Sequence, residues 1–188
     1  MMDRRDLVAQ LCARRGDALM VAGLGSPAWD LAAAGDDTRN FYLWGGMGMA
    51  APTALGLALS QPARKVIAIT GDGEMLMGVG SLATIALQKP TNLGILVLDN
   101  ETYGETGGQP SPTGRGVDLG GMAAAAGFAN VLRVDAEADV APALTALLEE
   151  PGPCFVLAKV DAGPKPLRLP PRDGALLAQR FRAALKLA

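Results

Sequence analysis

A short acidic turn and a distant amide are the residues whose types and spacing suggest chemistry. The turn is Gly71-Asp72-Gly73, and Asn100 follows it after 26 residues. Carboxylate and amide oxygens are hard ligands that suit Mg²⁺, and a backbone carbonyl just beyond Asn100 can supply a third ligand. Glycines beside Asp72 allow backbone N–H groups to approach phosphate oxygens. The pattern therefore indicates a diphosphate held through Mg²⁺.

Each half of this pattern alone has an ordinary explanation. A Gly-Asp-Gly tripeptide is also a common tight turn, and Asn100 could simply cap a turn. The two occur together here, the first between a strand and a helix and the second between a strand and a loop. Chance explains that combination poorly.

Short apolar strands alternate with helical stretches and must position these residues. Strands are predicted at 18–23, 66–71, 93–100, 131–134 and 154–160, and helices at 4–15, 45–60, 79–88, 119–128, 140–150 and 173–187. The alternation predicts an α/β fold, a three-layer doubly wound sheet that is mainly parallel. A loop at 101–117 and an extended Pro-rich arm at 163–171 complete the chain. We expect a single domain, 1–188, with a C-terminal arm and helix at about 163–188.

Ligands bind such sheets at the carboxyl ends of the strands. Three turns rich in glycine or asparagine fall at that edge, namely Gly23–Pro27, Gly71–Glu74 and Asn100–Gly108. The segment Gly45–Gly48, which is expected to open a helix, could join them. Pieces distant in sequence would then form one site.

Composition excludes several classes of function. The net charge of −2 gives no electrostatic reason for nucleic acid or an anionic membrane as partner. Cys12 and Cys154 lie far apart, and the sequence has no CxxC, so a disulfide or metal site is not expected. The charged start is not a signal peptide, and no apolar run is long enough to span a membrane, so we expect a cytoplasmic protein. Histidine is absent.

The segment TGDGEMLMGVGSLATIALQKPTNLGILVLDNETYGETGGQ, residues 70–109, resembles the diphosphate-binding domain of thiamine diphosphate (ThDP) enzymes. The phrases LATIALQKPTNL, LDNETYGETGGQ and NFYLWGGMGMAAPTALGLAL are most similar to the family of sulfopyruvate decarboxylase β subunits and phosphonopyruvate decarboxylases. The resemblance covers roughly residues 18–160. Asp99-Asn100 stands where many members have two asparagines.

This resemblance implies roles for individual residues. Asp72 and Asn100 would bind Mg²⁺ through their side chains and Thr102 through its carbonyl, while Gly73 and Glu74 would offer backbone N–H groups to the diphosphate. Met47 matches the bulky apolar residue that wedges the cofactor into its bent shape; the less favoured alternative is that it packs in the core. Tyr103 and the loop after it would close over the diphosphate, unless that loop is simply solvated. The complete expected cofactor-binding set is Gly25, Ser26, Gly45, Gly46, Met47, Gly71, Asp72, Gly73, Glu74, Asn100, Thr102, Tyr103 and Gly104.

Two positions depart from the family pattern. Leu24 stands in the turn where relatives often have Ser or Thr, so Ser26 or the backbone must serve instead. Glu105 occupies a loop position that is often Ser, and its carboxylate would repel the phosphonate or sulfonate of an anionic 2-oxoacid. The departure at Glu105 concerns the substrate rather than the cofactor, whereas the Leu24 position lies beside the cofactor in relatives.

The resemblance also implies a partner. ThDP chemistry requires an activating glutamate, which in the family lies on a separate pyrimidine-binding domain, and no glutamate here matches that residue. We therefore expect a β-type subunit of a hetero-oligomer, active on a small 2-oxoacid only with an α-type subunit that carries the pyrimidine-binding domain. The product would be CO₂ and an aldehyde.

Other functions remain open at this point. A split acetolactate synthase-like carboligase would share the same domain, and so would the β subunit of a 2-oxoacid:ferredoxin oxidoreductase, which normally brings Fe–S cysteines. A non-catalytic nucleotide-binding module is a further alternative, although no GxGxxG follows the first strand. Helix 45–60 could present an apolar face to another subunit or pack inside this chain.

Overall fold

The computed structural model describes residues 1–185, so the end of the helix predicted at 173–187 and of the domain predicted at 1–188 lies outside the described residues. The strands are β1 (Leu19–Ala22), β2 (Asn40–Tyr42), β3 (Val66–Gly71), β4 (Leu93–Asp99), β5 (Thr102–Tyr103), β6 (Gln109–Pro110), β7 (Asn130–Val134) and β8 (Cys154–Lys159). The helices are α1 (Arg4–Arg14), α2 (Ser26–Ala33), α3 (Ala50–Ser60), α4 (Asp72–Met77), α5 (Ser81–Gln88), α6 (Leu119–Ala126), α7 (Val140–Leu148) and α8 (Gly174–Ala184).

Six of the strands form one sheet in the order β2-β1-β3-β4-β8-β7, and every neighbouring pair in it is parallel. Ala22 pairs with Ile69, and Gly71 pairs with Leu98. The carboxyl ends of β1, β3 and β4 therefore meet at one edge of the sheet. The predicted α/β fold with a mainly parallel sheet is confirmed.

Helices cover both faces of this sheet, as continuous apolar strands require. Along β3, Ile67 and Ile69 belong to a core with α1, α2 and α7. Val66 and Ala68 point the other way, into a core with α3, α5 and α6. Successive strand residues thus enter opposite layers, and the buried strands serve as a rigid base for the residues at their carboxyl ends.

Helix α3 begins later than the sequence suggested. The predicted helix 45–60 starts at Ala50, and the residues before it form turns. Gly48 has a positive φ of 81°, which a right-handed helix does not allow. Alanines on one face of α3 are buried in the core, namely Ala50, Ala51, Ala54 and Ala58. This helix therefore packs mainly within the chain.

Three elements beside the predicted turns were not anticipated. Helix α2 begins at Ser26, with Pro27 in its first turn, where proline is well tolerated. Strand β2 has only three residues and lies at the edge of the sheet. Helix α4 begins directly at Asp72, so the Gly71–Glu74 turn is the start of a helix.

The predicted loop at 101–117 contains a small antiparallel pair. Strand β5 pairs with β6, with Tyr103 opposite Gln109. The Ser111 N–H donates to the Glu101 carbonyl at 2.8 Å and closes the base of this loop. The loop thus leaves the sheet after β4 and returns to the same edge.

The segment after β8 runs over the rest of the chain. Arg4 donates to the Gly163 carbonyl at 3.0 Å, and the Trp44 indole N–H donates to the Pro171 carbonyl at 2.9 Å. Helix α8 then packs on β2, where the Phe181 and Phe41 ring centroids lie 5.3 Å apart. The arm and α8 therefore lie against this chain over their described length.

Cys12 and Cys154 are both free thiols, and Cys154 is completely buried. Within residues 1–185, no helix combines the length and the apolar character that a membrane crossing requires.

Candidate functional site

A cleft lies at the carboxyl edge of the sheet, with about 670 Å³ of empty space including the adjoining solvent. It contains most of the residues that the sequence singled out for cofactor binding: Gly25, Ser26, Met47, Gly71, Asp72, Gly73, Glu74, Asn100, Thr102, Tyr103 and Gly104. Gly45 and Gly46, which were predicted with them, are not among the lining residues. The turns after β1, β3 and β4 thus lie together, because the carboxyl ends of these parallel strands meet at one edge of the sheet.

Asp72 is the most buried acidic residue of the cleft lining, with 1% of its surface exposed. Its Oδ2 accepts hydrogen bonds from the Ser111 hydroxyl and, at 3.0 Å, from the Thr113 hydroxyl. Burial raises the pKa of Asp72, and the neighbouring Asp99 carboxylate raises it further. No ion pair among the described residues gives Asp72 a cationic partner.

Asn100 and Thr102 follow β4 and face the same cleft. The Asn100 Oδ1 accepts from the Thr102 N–H at 3.1 Å, which forms a local turn. Glu101 between them has a φ of 62°, in the left-handed region that few residues other than glycine adopt. The chain thus reverses sharply here, and both Asn100 and Thr102 line the cleft beside Asp72.

Lys159, at the end of β8, balances the negative charges of Asp99 and Glu101, the residues on either side of Asn100 in the sequence. The Lys159 ammonium lies 2.8 Å from the Asp99 Oδ2 and donates to the Glu101 carboxylate at 2.6 Å. Burial acts to lower the pKa of Lys159, but its contacts with Asp99 and Glu101 outweigh burial and raise it. Asp99 is therefore an ion-paired carboxylate, whereas Asp72 is not.

A glycine is required at position 73, because the Tyr103 ring closely approaches its backbone. A Cβ at this position would overlap the ring of Tyr103. The aromatic ring therefore lies directly against the backbone after Asp72. This contact gives Tyr103 a packing role besides the predicted contact with a diphosphate.

The Glu74 side chain enters the interior of the site, although only its backbone N–H was predicted to contact the diphosphate. Its Oε2 accepts from the Thr70 hydroxyl at 2.8 Å, and its Oε1 is buried without a hydrogen-bond partner among the described residues. Gly23 leaves the necessary space, because a Cβ there would overlap the Glu74 carboxylate. Burial raises the pKa of Glu74 to about 7.

Met47 lines the cleft together with the turn after β1. The backbone of the following Gly48 touches Gly78 so closely that any side chain at Gly78 would collide with the Gly48 carbonyl. This contact holds the Met47 segment against the end of α4. The contact positions Met47 at the cleft, as its predicted role in bending the cofactor requires. The role itself stays a prediction.

The turn after β1 lies beneath Glu105. Gly25 has a φ of 72°, and a Cβ on it would lie 3.0 Å from the Glu105 side chain. Both residues line the cleft, so an acidic group covers the turn where Leu24 and Ser26 also lie. Burial raises the pKa of Glu105.

Four residues of the site were missed from the sequence. Ser111 and Thr113 contact Asp72, Lys159 contacts Asp99, and Arg4 lines the cleft while donating to Asp30 Oδ2 at 2.7 Å. Lys159 follows the same strand-end logic as Asp72 and could have been found from it. The positions of the Ser111 and Thr113 hydroxyls depend on how the loop after β4 returns to the sheet edge. No sequence pattern comparable to a strand end predicts that path.

Comparison with known proteins identifies the class to which this cleft belongs. Residues 28–158 match the family described as thiamine pyrophosphate enzyme, C-terminal TPP binding domain. The matched segment covers more than half of the chain and includes Asp72, Asn100 and Thr102. The chain belongs to this thiamine pyrophosphate enzyme family and carries its cofactor-binding domain.

Named relatives narrow this class. The chain is 36% identical to the sulfopyruvate decarboxylase subunit beta of Methanothermobacter thermautotrophicus over 181 residues, which are 96% of this chain and 94% of the relative. It is 39% identical to the phosphonopyruvate decarboxylase of Streptomyces viridochromogenes over 168 residues, 89% of this chain but only 42% of that protein. The predicted resemblance to this family is confirmed.

A solved structure shares the fold. An X-ray structure from Mycobacterium smegmatis, described as that of a thiamin diphosphate-dependent enzyme, superposes with a TM-score of 0.70 at 25% identity. The superposition covers 87% of this chain and 32% of the other. The ThDP-binding α/β fold is thus observed in a longer protein as well.

Proposed function

We propose that this protein is the β-type subunit of a split, ThDP- and Mg²⁺-dependent 2-oxoacid decarboxylase. The observation that carries the proposal is the buried Asp72 carboxylate, which has no cationic partner and shares a cleft with Asn100 and Thr102. The printed names of the relatives, a sulfopyruvate decarboxylase subunit and a phosphonopyruvate decarboxylase, supply the reaction class.

The residues present fit a bound Mg²⁺. An uncompensated buried charge is costly, and a divalent cation would neutralise it. Asp72 and Asn100 would offer side-chain oxygens and Thr102 its carbonyl, all hard ligands that Mg²⁺ prefers. These three ligands would leave further coordination positions for diphosphate oxygens. Among the described residues, no group of three or more acidic or cysteine side chains offers an alternative metal site.

The same cleft fits the remainder of the cofactor. The backbone N–H groups of Gly73 and Glu74 would bind the diphosphate, and Tyr103 would cover it. Met47 would pack against the organic part. ThDP, when bound, supplies the electron sink that allows a 2-oxoacid to lose CO₂. The part of this chain is to hold the diphosphate, neutralise its charge and shield it from water.

The activating glutamate would come from a partner. We propose an α-type subunit with the pyrimidine-binding domain, since the relative aligned over nearly its full length is named a subunit. The phosphonopyruvate decarboxylase has a further part that this chain does not match, as expected if both domains are fused there. The substrate would be a small 2-oxoacid, and the products CO₂ and an aldehyde.

Asp72 tests the proposal most directly. In Asp72→Asn the shape is kept but the charge is lost, and Asp72→Ala removes both. We expect each variant to lose Mg²⁺-dependent ThDP binding, because a direct metal ligand is removed. The affinity for ThDP in the presence of Mg²⁺ should fall by at least about 100-fold. The measurement is the ThDP-induced rise in melting temperature, with and without Mg²⁺, for the full chain mixed with its α-type subunit.

Asp17→Ala is the matched control, because the Asp17 side chain is 82% exposed. It should respond to Mg²⁺ and ThDP as the unsubstituted protein does. Asp72→Asn should also fold at least as well without cofactor, since it removes an unpaired buried charge. Unchanged cofactor affinity in a folded Asp72→Asn protein would refute the proposed ligand set.

A further inference from the structure

Two hydroxyl groups lie between the two buried carboxylates at the carboxyl ends of β3 and β4. Ser111 is completely buried, and Thr113 is 7% exposed. The Thr113 Oγ1 lies 2.7 Å from the Asp99 Oδ1 and 3.0 Å from the Asp72 Oδ2, and the Ser111 Oγ also contacts the Asp72 Oδ2. The two hydroxyls are 2.8 Å apart. They therefore form a bridge between the strand ends.

The number of protons restricts how this bridge is built. Each hydroxyl has one hydrogen to donate, and ionised carboxylates only accept. Thr113 lies within reach of both carboxylates and donates to one of them at a time, whereas Ser111 can donate to the Asp72 Oδ2 in either arrangement. Among the described residues, both side-chain hydrogen bonds to the Asp72 carboxylate reach Oδ2, so Oδ1 is the oxygen left for another ligand.

The Asp99 side of this hydroxyl bridge is also fixed in place. Asp99 is completely buried, and its Oδ2 lies 2.8 Å from the Lys159 ammonium. The Glu101 N–H donates to Asp99 Oδ1 at 3.2 Å, next to the Thr113 contact. Thr113 thus meets a carboxylate that is already fixed by a cation and by the backbone.

We propose that Thr113, supported by Ser111, is a positioning residue for the Mg²⁺ ligand Asp72. It holds Oδ2 against the protein so that Oδ1 is directed to the metal, and it takes its own position from the Asp99–Lys159 ion pair. This inference rests on the proposed function. Partners that orient a metal ligand commonly change metal affinity by about 10- to 100-fold when they are removed.

Thr113→Val tests the proposal, since valine has nearly the shape of threonine without the hydroxyl. We expect the Mg²⁺ concentration that gives half-maximal ThDP binding to rise at least about 10-fold. ThDP binding at saturating Mg²⁺ should change little. Thr113→Ser restores a hydroxyl and should return the Mg²⁺ requirement to within about 3-fold of the unsubstituted protein.

The measurement is a Mg²⁺ titration of ThDP binding to the full chain with its α-type subunit. Mn²⁺, whose electron paramagnetic resonance signal changes on binding, provides a second readout that is independent of activity. Thr113→Ala is made in parallel; because alanine is smaller than threonine, it cannot clash, and it should reproduce the valine result if the valine variant does not fold.

The two proposals fail in different ways. A folded Thr113→Val or Thr113→Ala protein with the Mg²⁺ affinity of the unsubstituted protein overturns the positioning role, whatever Asp72→Asn does. If Thr113→Ser loses as much affinity as Thr113→Val, the hydroxyl is not the cause and the role is again refuted. If Asp72→Asn keeps full affinity, the ligand assignment itself is wrong.

Discussion

Asp72 and Glu74 are two buried carboxyl groups of one short helix, but they lie in different surroundings. Asp72 is bonded by hydroxyls and faces the cleft, where a cation can neutralise it. Glu74 has one hydroxyl partner and one unpartnered oxygen among the described residues. Because burial disfavours a charge without compensation, Glu74 favours its protonated form, and its pKa is raised to about 7.

Glu74 should therefore make stability depend on pH. Its ordinary pKa is 4.5 and the folded value is about 7, so the folded state binds the proton more tightly. The contribution of the neutral group is fully present below about pH 4.5 and is lost as the pH rises toward 7. At 1.36 kcal/mol per pKa unit, the loss amounts to about 3 kcal/mol at most.

The measurement is the free energy of unfolding of the cofactor-free chain between pH 4.5 and 7.5, compared with Glu74→Gln. Glutamine does not titrate, so the difference between the two proteins isolates this one carboxyl group. The unsubstituted protein should lose stability relative to the variant as the pH rises. A difference that stays constant across this range would contradict the raised pKa.

At the scale of elements, β2 is short and lies at the edge of the sheet, and α8 covers it. Phe41 of β2 packs against Phe181 of α8, and Arg180 of α8 forms an ion pair with Asp36 at 2.5 Å. The turns that follow β2 lead to Met47. The packing of α8 therefore supports the strand that precedes one wall of the cleft.

Phe181→Ala should destabilise the protein by about 3–5 kcal/mol, because it removes a ring that is only 7% exposed. Leu176→Ala in the same helix is the control, since Leu176 is 48% exposed and its replacement should cost little. Urea unfolding of both variants provides the comparison. Equal stabilities would show that α8 does not support β2.

The central strands were predictable because their sequences are continuously apolar. The bounds of β3 match the predicted 66–71, and those of β4 differ by one residue from the predicted 93–100. The short elements α2, β2 and α4 were not predicted. Helix α2 starts in a Gly-Ser-Pro turn, and β2 has three residues, so neither has enough length for a periodic pattern.

The parts of the candidate site differ in the same way. Asp72 and Asn100 come directly after buried strands, so strand prediction alone brings them to one edge. Ser111 and Thr113 reach that edge only because the loop after β4 folds back on Glu101. Their positions depend on the tertiary path of the loop, which no local spacing encodes. The Glu74 side chain likewise depends on the space at the distant Gly23.

At the scale of the whole molecule, large apolar side chains are exposed beside the segments that carry Met47 and helix α4. Met49 is 49% exposed and Met77 is 67% exposed, and each is the sequence neighbour of one glycine in the Gly48–Gly78 contact. These exposed apolar groups are a surface that the proposed α-type partner could cover. A partner there would bind the protein and the cofactor together.

If the cofactor lies between two subunits, it should strengthen their association. We expect Mg²⁺ and ThDP together to tighten binding of the α-type subunit by at least about 5-fold, and the subunit to tighten ThDP binding by the same factor. Analytical ultracentrifugation with and without cofactor measures the first effect. Asp72→Ala should abolish it. Association that is insensitive to ThDP would place the cofactor away from the interface.

The ion pair of Asp99 with Lys159 has a consequence for how this sequence can change over time. Replacing Asp99 by asparagine would leave the half-buried Lys159 ammonium with Glu101 alone. Replacing Lys159 alone would leave a completely buried carboxylate beside Asp72. Losing Lys159 first therefore gives the less stable intermediate, because a buried carboxylate then has no cationic partner. A sequence that lacks Lys159 should therefore also lack the Asp99 carboxylate.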